Sequence, residues 1–180
     1  LVGGTADVAL AEVDVTLGQG LKALALESIK GRLGARQRGN VSEFSTEGLA
    51  FDTRDGLRWP GGNVRVLHTA GDGKTEARGE LTADRLDLAA LSQIADRLPL
   101  SPTVRTALAS HAPAGLVQRL QANWQGPLDH LKQYQVKGAI SQLALAPAGE
   151  IPGVRGANLD FDLNQSGGKA QIEIVNGVVS

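Results

Sequence analysis

The sequence contains no cysteine, which removes thiolate metal ligands, disulfide staples and a cysteine nucleophile together. It contains no methionine, not even an initiator. It opens and closes in strand-like runs, so it reads as a piece cut from a longer polypeptide. The lack of a leader then says nothing about the parent. Aromatic residues are scarce, with two Trp, one Tyr and three Phe, whereas a surface that stacks bases or sugars ordinarily uses more. Neither charge sign dominates. The net charge is −1 with both signs interspersed, which excludes a general attraction to nucleic acid or to an anionic bilayer. No apolar run approaches the roughly 20 residues that cross a membrane, so the segment is expected to be soluble. What is plentiful is glycine, 23 residues in 180, as a chain with many tight turns requires. That length suffices for one domain with a real core.

Alternation of period two marks the strands. Val8, Leu10, Val13, Val15 and Leu17 form the first, closed by Gly18 and Gly20. Leu21 to Lys30 fits a short helix by composition, but the Leu24/Leu26 alternation favours a hairpin partner for the first strand. Further strands are predicted over Val41–Phe44, Leu49–Thr53, Val64–His68 and Thr75–Ala83. They are separated by Asp55-Gly56, Gly61-Gly62 and Gly71-Asp72-Gly73. Intervals this short leave no room for crossover helices, so the sheet must be antiparallel.

The period then changes. Leu88, Leu91, Ile94, Ala95 and Leu98 fall three and four residues apart, a helical stripe ended by Pro99. Ser101-Pro102 supplies an N-cap and a first-turn proline for a second helix through Val104, Ala107, Leu108 and His111. Strands resume over Leu116–Trp124, Gln133–Ser141, Leu143–Ala146, Asn158–Asn164 and Lys169–Val175. Gln165-Ser166-Gly167-Gly168 joins the last two. Leu159, Phe161 and Leu163 alternate with Asp160 and Asp162, and Ala170, Ile172 and Ile174 alternate with Gln171 and Glu173. One face is therefore apolar and the other wet.

Catalytic patterns are missing. His68, His111 and His130 have no ligand spacing, and no GxSxG, Walker loop or GxGxxG is present. Gly18-Gln19-Gly20 and Gly71-Asp72-Gly73 are too short to cradle a phosphate. Asp160 and Asp162 share a strand face, but no third polar residue is expected to converge on them as a glycosidase pair requires. Lys30, Arg32, Arg36 and Arg38 form a basic stretch with no acid between. It reads either as a solvated hairpin loop or as a contact for phosphate headgroups or an acidic partner. Trp59-Pro60-Gly61-Gly62 reads as a turn with an anchoring aromatic, and Trp124 is expected to pack on the helical pair.

Residues 79–180 resemble a known family. Gly79-Glu80-Leu81-Thr82-Ala83 followed by Leu86-Asp87-Leu88-Ala89-Ala90-Leu91 is similar to the strand-to-helix junction of AsmA-like envelope proteins. Leu98-Pro99-Leu100, Pro113-x-Gly115, Trp124-x-Gly126-Pro127, Tyr134-x-Val136-x-Gly138, Ile151-Pro152-Gly153 and Gly156-x-Asn158-Leu159 follow in the order found in the central region of the YhdP-type branch, within the TamB/AsmA superfamily. The resemblance implies a periplasmic segment of a protein anchored in the Gram-negative inner membrane. It further implies a long curved sheet with an apolar concave face, and a part in moving phospholipid toward the outer membrane and maintaining its barrier. It carries over no catalytic residue, cofactor or metal.

The expected fold is α+β: a mostly antiparallel, curved sheet of about eight to ten strands forming an open groove. The whole of 1–180 is taken as one unit, with strands over 1–86, a helical pair near 87–111 and strands over 112–180. Phospholipid acyl chains are the expected ligand. Leu143, Leu145, Leu159, Phe161, Leu163, Ile172 and Ile174 are the candidate lining, and Lys30, Arg32, Arg36 and Arg38 the candidate headgroup or partner contacts. No enzyme activity, nucleic-acid partner, metal or cofactor is expected. The alternative is a non-catalytic scaffolding segment of the envelope, its apolar face filled by its own helices, binding protein partners.

Overall fold

A computed structural model describes residues 2–127, 130–149 and 152–179. Ten strands form one open sheet, and every neighbouring pair is antiparallel. The strands are β1 (Val2–Val15), β2 (Leu24–Arg38), β3 (Val41–Thr53), β4 (Arg58–Trp59), β5 (Val64–Thr69), β6 (Arg78–Asp87), β7 (Ala114–Gln125), β8 (Gln133–Leu145), β9 (Val154–Asn164) and β10 (Gly167–Val179). Each strand lies beside its sequence neighbour along the path β1-β2-β3-β5-β6-β7-β8-β9-β10. The short β4 pairs with the second half of β3, and β5 with its first half. Pro60, Gly61 and Gly62 separate β4 from β5, and proline has no N–H to give the ladder. The fold is thus a mostly-β meander with two short helices.

The helices interrupt the meander between β6 and β7 without separating those strands. Asp87 caps α1 (Leu88–Ile94), its carboxylate accepting the Ala90 N–H at 2.9 Å. A single 3-10 turn follows at Ala95–Arg97. Ser101 then caps α2 (Pro102–His111), accepting the Val104 N–H at 3.3 Å, with Pro102 in the first turn. Capping satisfies N–H groups that a helix start leaves without partners. α2 ends at Ala112 in the left-handed region, φ 38°.

Two pairs of expected strands are single strands in the structure. Val41–Phe44 and Leu49–Thr53 belong to β3, and Gln133–Ser141 and Leu143–Ala146 to β8, which ends one residue earlier, at Leu145. In each case a β-bulge, at Gly48 and at Gln142, interrupts the alternation without ending the strand. A bulge adds one residue, so the apolar phase slips by one and imitates a break. Glu12 in β1 and Arg119 in β7 have the same left-handed backbone. The segment from Leu24 is strand throughout, so the hairpin reading of Leu21–Lys30 holds.

The densest packing lies where β2 begins and β3 ends. Leu24, Leu26, Phe51 and Leu57 are buried with Ala90 and Ile94 of α1, and Val15, Ile29, Trp59 and Leu98 pack around them. The Trp59 ring stacks on Phe51 at 5.8 Å and 5°, as its anchoring role predicts. Thr53, the one fully buried polar side chain here, accepts the Leu57 N–H at 3.0 Å. The Lys22–Asp96 pair at 2.7 Å and the Arg97–Asp55 pair tie the helical segment to the β1–β2 and β3–β4 turns.

Candidate functional site

Register sorts the side chains of this sheet into two faces, because directly paired residues project to the same side. Ala35, Phe44, Val66, Leu81, Ala122, Val136 and Leu163 are successive cross-strand neighbours over seven strands. The adjoining row on that face reads Leu33, Thr46, Val64, Ala83 and Leu120. Toward β10 the rows are Gly138–Phe161–Ala170, Ile140–Leu159–Ile172 and Leu143–Ala157–Ile174. The result is one nearly continuous aliphatic surface. Phe161 lies across Gly138, where a methyl group would fall 2.9 Å from its ring, so glycine makes room for the aromatic.

All seven residues proposed as lining fall on this face. Their exposure divides them. Leu143 is buried, Leu145, Leu159 and Phe161 are half-buried, and Leu163, Ile172 and Ile174 are open to solvent. The same face extends to Phe44, Val64, Val66, Leu81, Val136 and Ile140, which the sequence reading left out of the lining although the alternation Val64/Val66 and Leu81/Ala83 marked them. Helix α1 covers this face over the beginning of β2 and the end of β3 and over the adjoining ends of β6 and β7, leaving the rest of those strands uncovered by it.

The opposite face is charged and internally paired. Arg32 reaches Asp7 at 2.8 Å and Glu47 at 3.4 Å, Arg65 reaches Glu43 at 2.7 Å, and Lys137 reaches Asp162 at 3.0 Å. The arginine beside Asp7 holds that carboxyl below the usual range, first by a hydrogen bond and then by charge. These are exposed pairs, each contributing little to stability.

Lys30, Arg32, Arg36 and Arg38 therefore stand in the middle and end of β2, not in a loop, and all four project from the charged face. They are on the other side of the sheet from the aliphatic lining. The acids missing between them in sequence arrive from neighbouring strands, as Asp7 and Glu47 do for Arg32. Asp160 and Asp162 likewise acquire cations that sequence spacing hid: Arg119 at 3.4 Å and Lys137 at 3.0 Å. Gln135 and Lys137 hydrogen-bond Asp162 and lower its pKa, the reverse of what a general acid requires.

Trp124 corrects another expectation. It sits near the end of β7 remote from the helices, its indole lying across Gly79 of β6, where a methyl group would fall 2.0 Å from the ring. A twelve-residue strand separates the two ends by roughly 35 Å, so contact with α1 or α2 is out of reach. Of the histidines, His68 is half-buried in β5, His111 ends α2 and His130 is exposed between β7 and β8. Ile151, the first residue of the Ile-Pro-Gly motif, lies outside the described residues.

An open antiparallel sheet with one aliphatic and one ionic face, capped at one end by a short helical insertion, defines an open β scaffold, and the family match places it with the AsmA-like envelope type. The YhdP protein family matches the chain over residues 1–180, and the chain belongs to that family. The match takes in residues 1–78, beyond the motifs of residues 79–180. Searches of the curated proteins and of the solved structures found no match. No helix among the described residues is long and apolar enough to cross a membrane.

Proposed function

We propose that this chain is a non-catalytic, periplasmic lipid-handling segment of an inner-membrane-anchored envelope protein. Its aliphatic face carries phospholipid acyl chains between membranes, on a sheet curved into an open groove, and so maintains the outer-membrane barrier. The observation that supports this most is the uncovered aliphatic surface across β5 to β10, with Ile172, Ile174 and Leu163 exposed on it. Water meets a surface there that an ordinary domain would bury. Each methylene withdrawn from water contributes about 0.8 kcal/mol. A fully enclosed lipid would thus be held too firmly to pass on, and a one-sided face suits passage. The aliphatic lining offers acyl chains no hydrogen bonds, and family membership is consistent with an envelope role.

The scaffolding reading is favoured by one observation, the filled cluster of Leu24, Leu26, Phe51 and Ile94 under α1. On that reading the apolar face is filled by the chain's own helices, and the segment binds protein partners instead of lipid. Extraction of the purified chain and mass spectrometry of the extract separates the two. Phospholipid is expected to co-isolate with the parent chain and to be lost from a Phe161→Asp, Ile172→Asp double variant. A charge change on the other face, Asp162→Asn, is expected to leave it bound. Extracts free of phospholipid, or loss that follows Asp162 instead, would overturn the lipid reading.

A further inference from the structure

The aliphatic face ends abruptly. Beyond the row of Phe44, Val66, Leu81 and Val136, the next row on the same face reads Gln37, Ser42, His68, Gly79, Trp124 and Tyr134. Every side chain in it carries a polar atom, on a face that is otherwise almost entirely apolar, and it lies at the end remote from α1. The Ser42 hydroxyl donates to Gln37. The Trp124 ring lies against Gly79, and Tyr134, its cross-strand partner on β8, is exposed. Trp and Tyr have an apolar body with a polar tip, which suits them to the headgroup level of a bilayer. The Trp124 indole N–H is buried and has no acceptor among the described residues, so a rotation that brings it out to an incoming oxygen gives up no hydrogen bond.

The dimensions fit a lipid laid along the strands. From Tyr134 to Ile140 the face runs six residues along β8, roughly 20 Å at about 3.3 Å each. One leaflet of acyl chain spans about 15 Å, half of a hydrocarbon core. The face therefore has the length and the polarity gradient of one bilayer leaflet: polar and aromatic at one end, aliphatic thereafter.

Building on the lipid reading above, we propose that the Ser42–His68–Trp124–Tyr134 row is the headgroup site for a phospholipid. The phosphate and glycerol esters lie over Trp124 and Tyr134, and the acyl chains run toward Ile140 and Leu159. The basic residues of β2 play no part in it, since they leave the opposite face.

Nitroxide quenching of tryptophan tests the orientation. The Trp59→Phe variant keeps the ring stacked on Phe51 and leaves Trp124 as the single reporter. Ile140→Trp, in a chain that also carries Trp59→Phe and Trp124→Phe, places the reporter at the other end. Each is loaded from phosphatidylcholine vesicles containing phosphatidylcholine labelled on the headgroup or near the acyl terminus, then separated from the vesicles. The headgroup label is expected to quench Trp124 about twofold more than the chain-end label, as for an interfacial tryptophan, with the order reversed for the Ile140→Trp reporter. If Trp59→Phe does not fold, the difference between the parent chain and Trp124→Phe reads the same quantity. Quenching of both reporters without that reversal overturns the headgroup row and leaves the lipid reading standing. No quenching of either reporter overturns both.

Discussion

At one end of the aliphatic face Leu26 is 1 % exposed, packed in a cluster with Ile94 of α1; near the far edge of the same face Ile172 is 61 % exposed. Both are aliphatic residues on β-strands of one sheet with the same ladder chemistry. The difference is what lies above them. The insertion between β6 and β7 brings Ala90, Ile94 and Leu98 over the first position, and among the described residues the second is left open to solvent. An antiparallel sheet with one greasy face must cover it with helices, a second sheet or a ligand, and this chain does so over only part of its width. The covered part contributes the stability, and the uncovered part leaves a surface free for an external occupant.

That contrast is broken most severely at the covered end. Leu26→Ala is expected to lose about 2–5 kcal/mol through lost burial and an unfilled cavity, read as a lowered midpoint in urea unfolding. A loss below about 1 kcal/mol would mean that the helices do not seal this end. The electrostatic tether comes next. Asp55 is held at about 2, first by its hydrogen bond from Arg97 and then by that from Thr53. Its folded pKa is below the unfolded value of 3.8, so its contribution is complete above about pH 4 and fades as pH falls toward 2. Asp55→Asn is expected to lower the thermal midpoint at neutral pH, and the gap to the parent should close through that acidic window. A gap independent of pH would remove the ion pair from the account. The smallest effect belongs to the open end, where Ile172→Ala is expected to change stability by no more than about 0.5 kcal/mol while weakening lipid retention.

Much of this architecture was legible in residues. Ser101-Pro102, the leucine stripe from Leu88 and the alternation around Phe161 and Ile172 each gave a local rule that the tertiary structure obeys. The helical boundaries and the last hairpin follow from them. The bulges at Arg119 and Gln142 were not legible, because these residues adopt a left-handed backbone without being glycine, and sequence offers no mark for that. Gly48 could be seen, but only as one turn candidate among many. Charge pairing was hidden for a different reason: Arg32 meets Asp7 and Glu47 across strands, at separations of 25 and 15 residues. The facing of Lys30, Arg32, Arg36 and Arg38 was readable, since all four are at even positions while Ile29 and Leu33 are at odd ones. Treating the stretch as a loop discarded that signal. The polar row through His68, Trp124 and Tyr134 needs the register of six strands at once, and no single segment contains it.

The account turns on whether lipid reaches the uncovered aliphatic surface in the assembled protein. A photo-crosslinking side chain placed in turn at Phe161, Ile172, Asp162 and Leu26, irradiated in cells and analysed for bound phospholipid, addresses that directly. Capture is expected at Phe161 and Ile172 alone, with none from the ionic face at Asp162 or from the sealed position at Leu26. Capture at Asp162 equal to that at Phe161, or none at any position, would contradict it.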